Sequence, residues 1–426
     1  MLKLKKINNK GIIMAIKPMT YHPAGDKKNS SFFNEYRLRI YDWRQTSGLN
    51  HLLQHMRAVV IQVECGDAFS YLNELYIMTP YRFSVGYRNK THNIYILNNM
   101  HSKNLPWYIL LEPLHTTYKD EITQFDNLYP IGTIKSNARY IGEIFQTKNM
   151  HKTREILESH DIRFHEKGVG KNDFYNNSHF VFTEPSPYTF NRYGYTHNDL
   201  CGFDNLQLGE PIELPEEVKI TLAITDDYFK EKGLDKILLG VDHLATRILS
   251  NNREVAMLEF LTCSNYYFWG AYNITDQNSS TNVNRHPNIK NERLSPAKVF
   301  TANNTPYFLN AFEDTPMPTE NFVRNLGPRM HHIAQDILDG DHVSGVKNID
   351  YVIATLKEYG IKFLSHIIGA CTDKPDLKQI FSKRSKYSML ITEYVERCHG
   401  FKGFFSKGNV AALTDAAGKD EIIIKR

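Results

Sequence analysis

The sequence predicts an α+β protein built as two tandem halves, and three observations carry that reading. Its 426 residues exceed what one hydrophobic core usually organises. From about residue 50 onward, short β-branched and aromatic runs alternate with helical stretches. The second half also repeats the first: ARYIGEI at 138–144 precedes the helix-like KTREILESHDIRF at 152–164, as MHHIAQDI at 330–337 precedes IDYVIATLKEYGIKF at 349–363. Both copies read strand, helix, strand, and the second carries about seven extra residues in the loop before its helix.

In chain order, residues 1–50 are rich in Asn, Lys, Tyr and Arg without clear periodicity and read as an extension that wraps or frays. A first domain follows over 51–215. GEPIELPEEVKITLAI at 209–224, with Pro211 and Pro215, reads as the connector, and a second domain fills 216–426. The apolar run Gly11 to Ile16 is shorter than a signal-peptide core, and no stretch is long enough to span a membrane. Cys65, Cys201, Cys263, Cys371 and Cys398 are odd in number and form no tight sequence pair, which fits a reducing cytoplasm. With 51 Lys and Arg against 47 Asp and Glu, scattered along the chain, no nucleic-acid footprint is expected. A homodimer is the expected assembly on general grounds.

Three strand-like segments of the second half offer metal ligands: LLGVDHLATRI around His243, GPRMHHIAQDI around His332 and SMLITEYVERC around Glu393. Two neutral imidazoles and one carboxylate on one face of an octahedral ion leave three open positions, the arrangement of non-haem Fe(II) oxygenases. Spacing alone does not single out these residues among 18 His, because a histidine in a strand is as readily a hydrogen-bonded structural residue.

Six segments in order make the case more specific. GVDHLATR, VFTANN at 299–304, HHIAQDI, LKQIFSK at 377–383, EYVER at 393–397 and GFFSKGNVAAL at 403–413 together resemble the 4-hydroxyphenylpyruvate dioxygenase family of the vicinal oxygen chelate superfamily. Its LxQIFTK, E-x-x-Q-R and GFGxGNF patterns are similar to the last three. The resemblance covers most of 235–415, and the first half shares it only through the repeat. It implies two tandem vicinal-oxygen-chelate domains of paired βαβββ modules forming half-open barrels, with Fe(II) held by His243, His332 and Glu393 in the second. It further implies an Fe(II)-dependent dioxygenase that oxidatively decarboxylates and hydroxylates a 2-oxo acid, with the acid and O2 as its small-molecule partners. Gln379 and Asn409 take catalytic positions, Phe381 and Phe405 wall the substrate, and Gly408 eases the turn into a C-terminal lid helix. The bland alternative for each is ordinary packing or capping.

Departures from the family pattern concentrate on the pocket. Lys298 stands where the family has Ser, Phe312 or Glu313 where it has Asn, His331 where it has Gln, and Val410 where it has Phe. Lys298, Glu313 and His331 are therefore expected at an altered substrate pocket. In a regular strand His331 and His332 point to opposite faces, and the HIA match selects His332 as the ligand. Glu396, three residues past Glu393, is expected to be solvated or salt-bridged. In the first half Tyr140 is expected opposite His332, Arg57 or Ala58 opposite His243, and only Glu184 resembles Glu393, so that half is expected to be a scaffold without metal. Two rivals stay open: another reaction of the same superfamily, and a non-catalytic binding protein.

Overall fold

A computed structural model describes residues 30–119, 121–166, 174–197, 206–287, 293–306 and 316–418. The apolar run at 11–16, Cys201, Phe312 and Glu313 lie outside these residues. Two sheets organise the chain. The first comprises β1 (Leu53–Gln62), β2 (Tyr81–Arg88), β3 (His92–Asn99), β4 (Trp107–Pro113), β5 (Arg139–Thr147), β6 (Phe180–Phe182), β7 (Arg192–His197) and β8 (Glu210–Ile212). The second comprises β9 (Leu238–Arg247), β10 (Tyr267–Ile274), β11 (Ser279–Arg285), β12 (Ala297–Asn303), β13 (Arg329–Ile337), β14 (Asp376–Phe381) and β15 (Ile391–Cys398).

The strand orders are β6-β7-β5-β1-β4-β3-β2-β8 and, read from the matching edge, β14-β15-β13-β9-β12-β11-β10. Apart from the added edge strand β8, the two orders are the same. In each sheet the two central strands run antiparallel, and each pairs in parallel with its outer neighbour. This is the repeat expected from the sequence. Both sheets curl, one of them into a half-barrel. The helices Met150–Glu158 and Asn348–Tyr359 follow β5 and β13, and the extra residues of the second copy fall in the loop 338–347.

The halves share one core. Val59, Tyr140 and Phe145 of the first sheet pack with Leu244, Phe260, Phe300 and Met330 of the second half, all of them buried. Buried ion pairs also cross between the halves: Asp126 receives both Arg139 and Arg329, at 2.8 and 2.6 Å, and Glu143 pairs with Lys298.

Four expectations need correction. Residues 31–46 of the supposed extension form a helix, Ser31–Thr46, capped by the Ser30 hydroxyl, which accepts from Phe33 N at 3.1 Å. Its buried Arg44 donates to the Leu261, Ser264 and Tyr266 carbonyls at 2.6–2.7 Å and ties the helix to the second half. The stretch read as a connector contains β8, paired with β2, and the start of the helix Glu216–Glu231. That helix packs on Ala68–Met78 of the first half, helped by the Arg82–Asp226 ion pair at 2.5 Å. Cys371 and Cys398, separated by 27 positions, are joined as a disulfide, against the expectation of a reducing cytoplasm. Glu396 is fully buried rather than solvated, and its carboxylate accepts from Gly340 N and Ile349 N, the latter at the start of Asn348–Tyr359.

Two acids in the helices carry raised pKa values. Burial pushes Glu259 and Glu74 up to about 7, against hydrogen bonds from Ser186 and Tyr193 to the first and from Ser385 to the second. Each favours the protonated folded state, so the stability they contribute below the ordinary carboxylate value is lost as pH rises through about 7. Melting temperature is expected to fall from pH 5 to pH 8, and Glu259→Gln is expected to flatten that slope. An unchanged slope in the variant would remove Glu259 from the account.

Candidate metal centre

Three strands of the second sheet place the three ligands. Ala334 of β13 pairs with His243 on β9 and with Glu393 on β15, so both ligands flank one row, and His332 lies two residues along β13. The small Ala334 and Ala245 side chains leave room between the larger ones. His243 Nε2 lies 3.2 Å from His332 Nε2, and Glu393 Oε2 lies 3.0 and 3.1 Å from the two imidazoles. An ion bound at about 2.1 Å by three atoms at right angles needs them about 3.0 Å apart, so this set has the spacing of one octahedral face.

The neighbours of each ligand set its orientation. His243 Nδ1 donates to Asp242 Oδ1 at 2.7 Å, and Arg397 donates to the same oxygen at 2.7 Å, which turns Nε2 toward the centre. Gln379 Nε2 donates to Glu393 Oε1 at 2.6 Å and leaves Oε2 for the centre. Asn409 Nδ2 in turn donates to Gln379 Oε1 at 3.1 Å and to the Leu377 carbonyl at 3.0 Å. Asn409 therefore stands behind Gln379 as a positioning residue.

Charge follows from these contacts. Burial opposes an imidazolium at His243, but the Glu393 and Asp242 carboxylates outweigh it and push the pKa up to about 9. Burial takes His332 down to about 4, and Glu393 is held at about 2 by the two imidazoles despite its own burial. The metal-free centre is thus one imidazolium, one carboxylate and one neutral imidazole, and a cation replaces a single proton. Asp242→Asn removes the charge behind His243 and is expected to weaken binding of a divalent metal ion about 10- to 100-fold, read by competition with a chelator. Unchanged affinity would remove Asp242 from the orienting set.

A small cavity, ≈ 40 Å³, adjoins the ligands and is lined by His331, Phe381, Phe405, Val410 and Leu413 among others. The helix Lys407–Gly418 supplies Val410, Leu413 and Thr414. The Phe405 ring meets His243 edge-on at 5.1 Å, and Phe381 lies 4.8 Å from His332.

Compared with solved structures, the chain superposes on a triple mutant of 4-hydroxymandelate synthase from Streptomyces coelicolor with a TM-score of 0.58 and 12% identity, over 86% of this chain and 99% of that one. The chain has the tandem vicinal-oxygen-chelate fold. A fusion of a xylose isomerase-like TIM barrel with a 4-hydroxyphenylpyruvate dioxygenase shares the fold at a TM-score of 0.53 and 10% identity, over 90% of this chain and 58% of that one. No protein-family model matches the sequence, and no curated protein does.

Within this vicinal-oxygen-chelate fold, the pocket differs from the sequence expectation at three places. His331 lines the cavity, as expected of a pocket residue, but a β-bulge between Met330 and His332 breaks the strand alternation and puts it beside His332 rather than on the opposite face, with their Nδ1 atoms 2.7 Å apart. His332 Nδ1 must donate if its Nε2 is to face the centre, which leaves the His331 N–H at Nε2, a buried atom without a partner among the described residues. Lys298 does not reach the cavity. It is on the face of β12 opposite Val299 and Thr301, buried against Glu143, with the rings of Tyr140, Phe260 and Phe300 around its ammonium.

The third difference lies in the first half. Val60 pairs with Gly142 as Ala245 pairs with His332, and Phe182 pairs with Gly194 as Phe381 pairs with Glu393. The counterparts of the three ligands are therefore Ala58, Gly142 and Gly194, not Tyr140 or Glu184. Glu184 is exposed, and Trp107, Phe174, Phe180 and Phe182 fill the equivalent space. Asp242, Arg397, Thr281, Thr301, Leu413 and Thr414 had no role assigned from the sequence. Asp242 directly precedes His243 and Arg397 follows Glu393 by four, so both lay inside recognised segments.

Proposed function

We propose that the protein is a non-haem Fe(II) dioxygenase that oxidatively decarboxylates a 2-oxo acid and hydroxylates the shortened product. The observation that carries this reading is the set of two imidazoles and one carboxylate with ligand atoms 3.0–3.2 Å apart, beside a cavity closed by the C-terminal helix. A solved structure sharing the fold is a dioxygenase by name, which supports the reaction class.

Bound at His243 Nε2, His332 Nε2 and Glu393 Oε2, Fe(II) supplies the redox chemistry that couples O2 to the loss of CO2 from the acid. The balance is one O2 consumed and one CO2 released per acid, with one oxygen atom in the new carboxylate and the other in the hydroxyl group. The chain contributes position and dryness. Asp242 and His331 fix the two rings through their Nδ1 atoms, and Gln379 holds the far oxygen of Glu393. The buried His331 N–H is available to an oxygen of the substrate. Phe381, Phe405, Val410 and Leu413 keep water from the reacting atoms once the helix is closed. The reading includes a homodimer that uses neither nucleic acid nor membrane.

The test is oxygen uptake by Fe(II)-loaded protein against a panel of 2-oxo acids, with CO2 measured in parallel. Uptake and CO2 release in a 1:1 ratio is the expected result. Bound iron with no acid-driven uptake would move the centre to another reaction class.

A further inference from the structure

Among the described residues, one cation that lines the cavity beside the ligands has no acid hydrogen-bonded or ion-paired to it. Arg247 follows His243 by four residues on β9, so both side chains rise from the same face of the sheet. Arg247 is only 5% exposed and lines the cavity with His331, His332 and Gln379. Its guanidinium makes no hydrogen bond or ion pair among the described residues. The charged group nearest in effect is another cation, Arg384, and both guanidiniums lie against the Phe322 ring, at 5.1 and 5.2 Å. Glu320, the buried acid of the adjoining helix Pro318–Leu326, is committed elsewhere and accepts from Ser250 N at 2.8 Å.

A buried guanidinium without an anion is costly, and its retention in a binding cavity is explained if a ligand brings the anion. We propose that Arg247 receives a second anionic group of the substrate, so that the substrate is a short-chain 2-oxo acid with a carboxylate at its far end. The keto acid end meets the three-ligand centre, and the distal carboxylate meets the guanidinium on the same strand. Arg247 and the three ligands border the same small cavity, so the chain that joins the two ends of the acid is short. This substrate class rests on the proposed reaction, and a matched set of acids separates the two.

2-Oxopentanedioate and 2-oxopentanoate share chain length and chelating end and differ only at the far carbon. In anaerobic titration of the Fe(II)-loaded protein, read by the visible charge-transfer band of the iron–keto acid chelate, the diacid is expected to bind about 10- to 100-fold more tightly. Arg247→Gln brings that ratio close to one, and Arg247→Lys keeps part of it. Equal affinities in the wild type overturn the inference and mean that the chain itself neutralises Arg247. A preference that survives Arg247→Gln overturns it too, because the anion is then read elsewhere.

If neither acid produces the band, the proposed reaction has failed, and thermal melting of the metal-free protein decides Arg247 by itself. Pentanedioate, which has no keto group, is expected to raise the melting temperature where pentanoate does not, and Arg247→Gln removes the difference. No difference in the wild type overturns the inference. The ligand-free Arg247→Gln variant is expected to melt no lower than the wild type, since it loses an uncompensated charge. A marked drop would make the arginine structural and count against the proposal.

Discussion

Glu393→Ala is expected to abolish both Fe(II) retention and 2-oxo acid turnover. Among the described residues, the carboxylate is the only anion whose oxygen lies within reach of both ligand imidazoles, at 3.0 and 3.1 Å, so its removal leaves two neutral nitrogens to hold a dication. The loss should go well beyond the roughly 100-fold that removal of an outer partner costs. It also strips Gln379 of its acceptor and His243 of the charge that keeps it protonated, so the metal-free variant should melt below the wild type. Metal content after desalting and oxygen uptake per folded molecule are the two readouts. A variant that keeps stoichiometric iron and turns over would sink the ligand assignment.

Lys298→Met is expected to be the most destabilising single change outside the centre. The Lys298 ammonium and the Glu143 carboxylate are 1% and 0% exposed, and they join β12 of the second sheet to β5 of the first. Burial pulls the Lys298 pKa down, with Glu143 opposing, which shows how closely that cation depends on its partner. Removing the lysine leaves an uncompensated buried carboxylate, at a cost of about 3–5 kcal/mol. Replacing Glu143 with methionine as well should recover most of the loss, because two packed apolar chains tolerate that site better than one orphaned charge. Denaturant unfolding of the two single variants and the double variant measures the coupling. Oxygen uptake per folded molecule should stay within a factor of about two in Lys298→Met, since the side chain faces away from the cavity. A changed KM would instead return Lys298 to the substrate pocket.

What could be read from the sequence was the part that depends on local pattern. Strand and helix periods exposed the repeat, and runs such as HHIAQDI and EYVER placed His332 and Glu393 on strands that the structure makes neighbours. The errors share a physical origin: each depended on register or on distant contacts. Strict alternation put His331 on the wrong face, because a bulge is an extra residue that no local period announces. Lys298 was assigned to the pocket by analogy, whereas its place one residue from Val299 turns it toward the other half, where Glu143 waits 155 positions earlier in the chain. The Cys371–Cys398 bridge likewise depends on the fold bringing a loop beside the end of β15. Arg44 reads in sequence as part of an aperiodic extension, and only the folded chain brings it to the three carbonyls of the second half that accept from it.

The emptied counterpart of the centre has one more implication, for the history of the duplication. A Cβ placed on Gly142 would come within 1.9 Å of the Arg192 carbonyl oxygen, and one on Gly194 within 2.6 Å of the Phe182 ring. Backbone and aromatic packing have closed over two of the three positions, so a side chain at Gly142 would require β5 and β7 to separate, and one at Gly194 would require the Phe182 ring to move away. If the first sheet ever held an ion, that loss is now a ratchet: its side chains can drift further, but no pair of point substitutions leads back to a second catalytic centre.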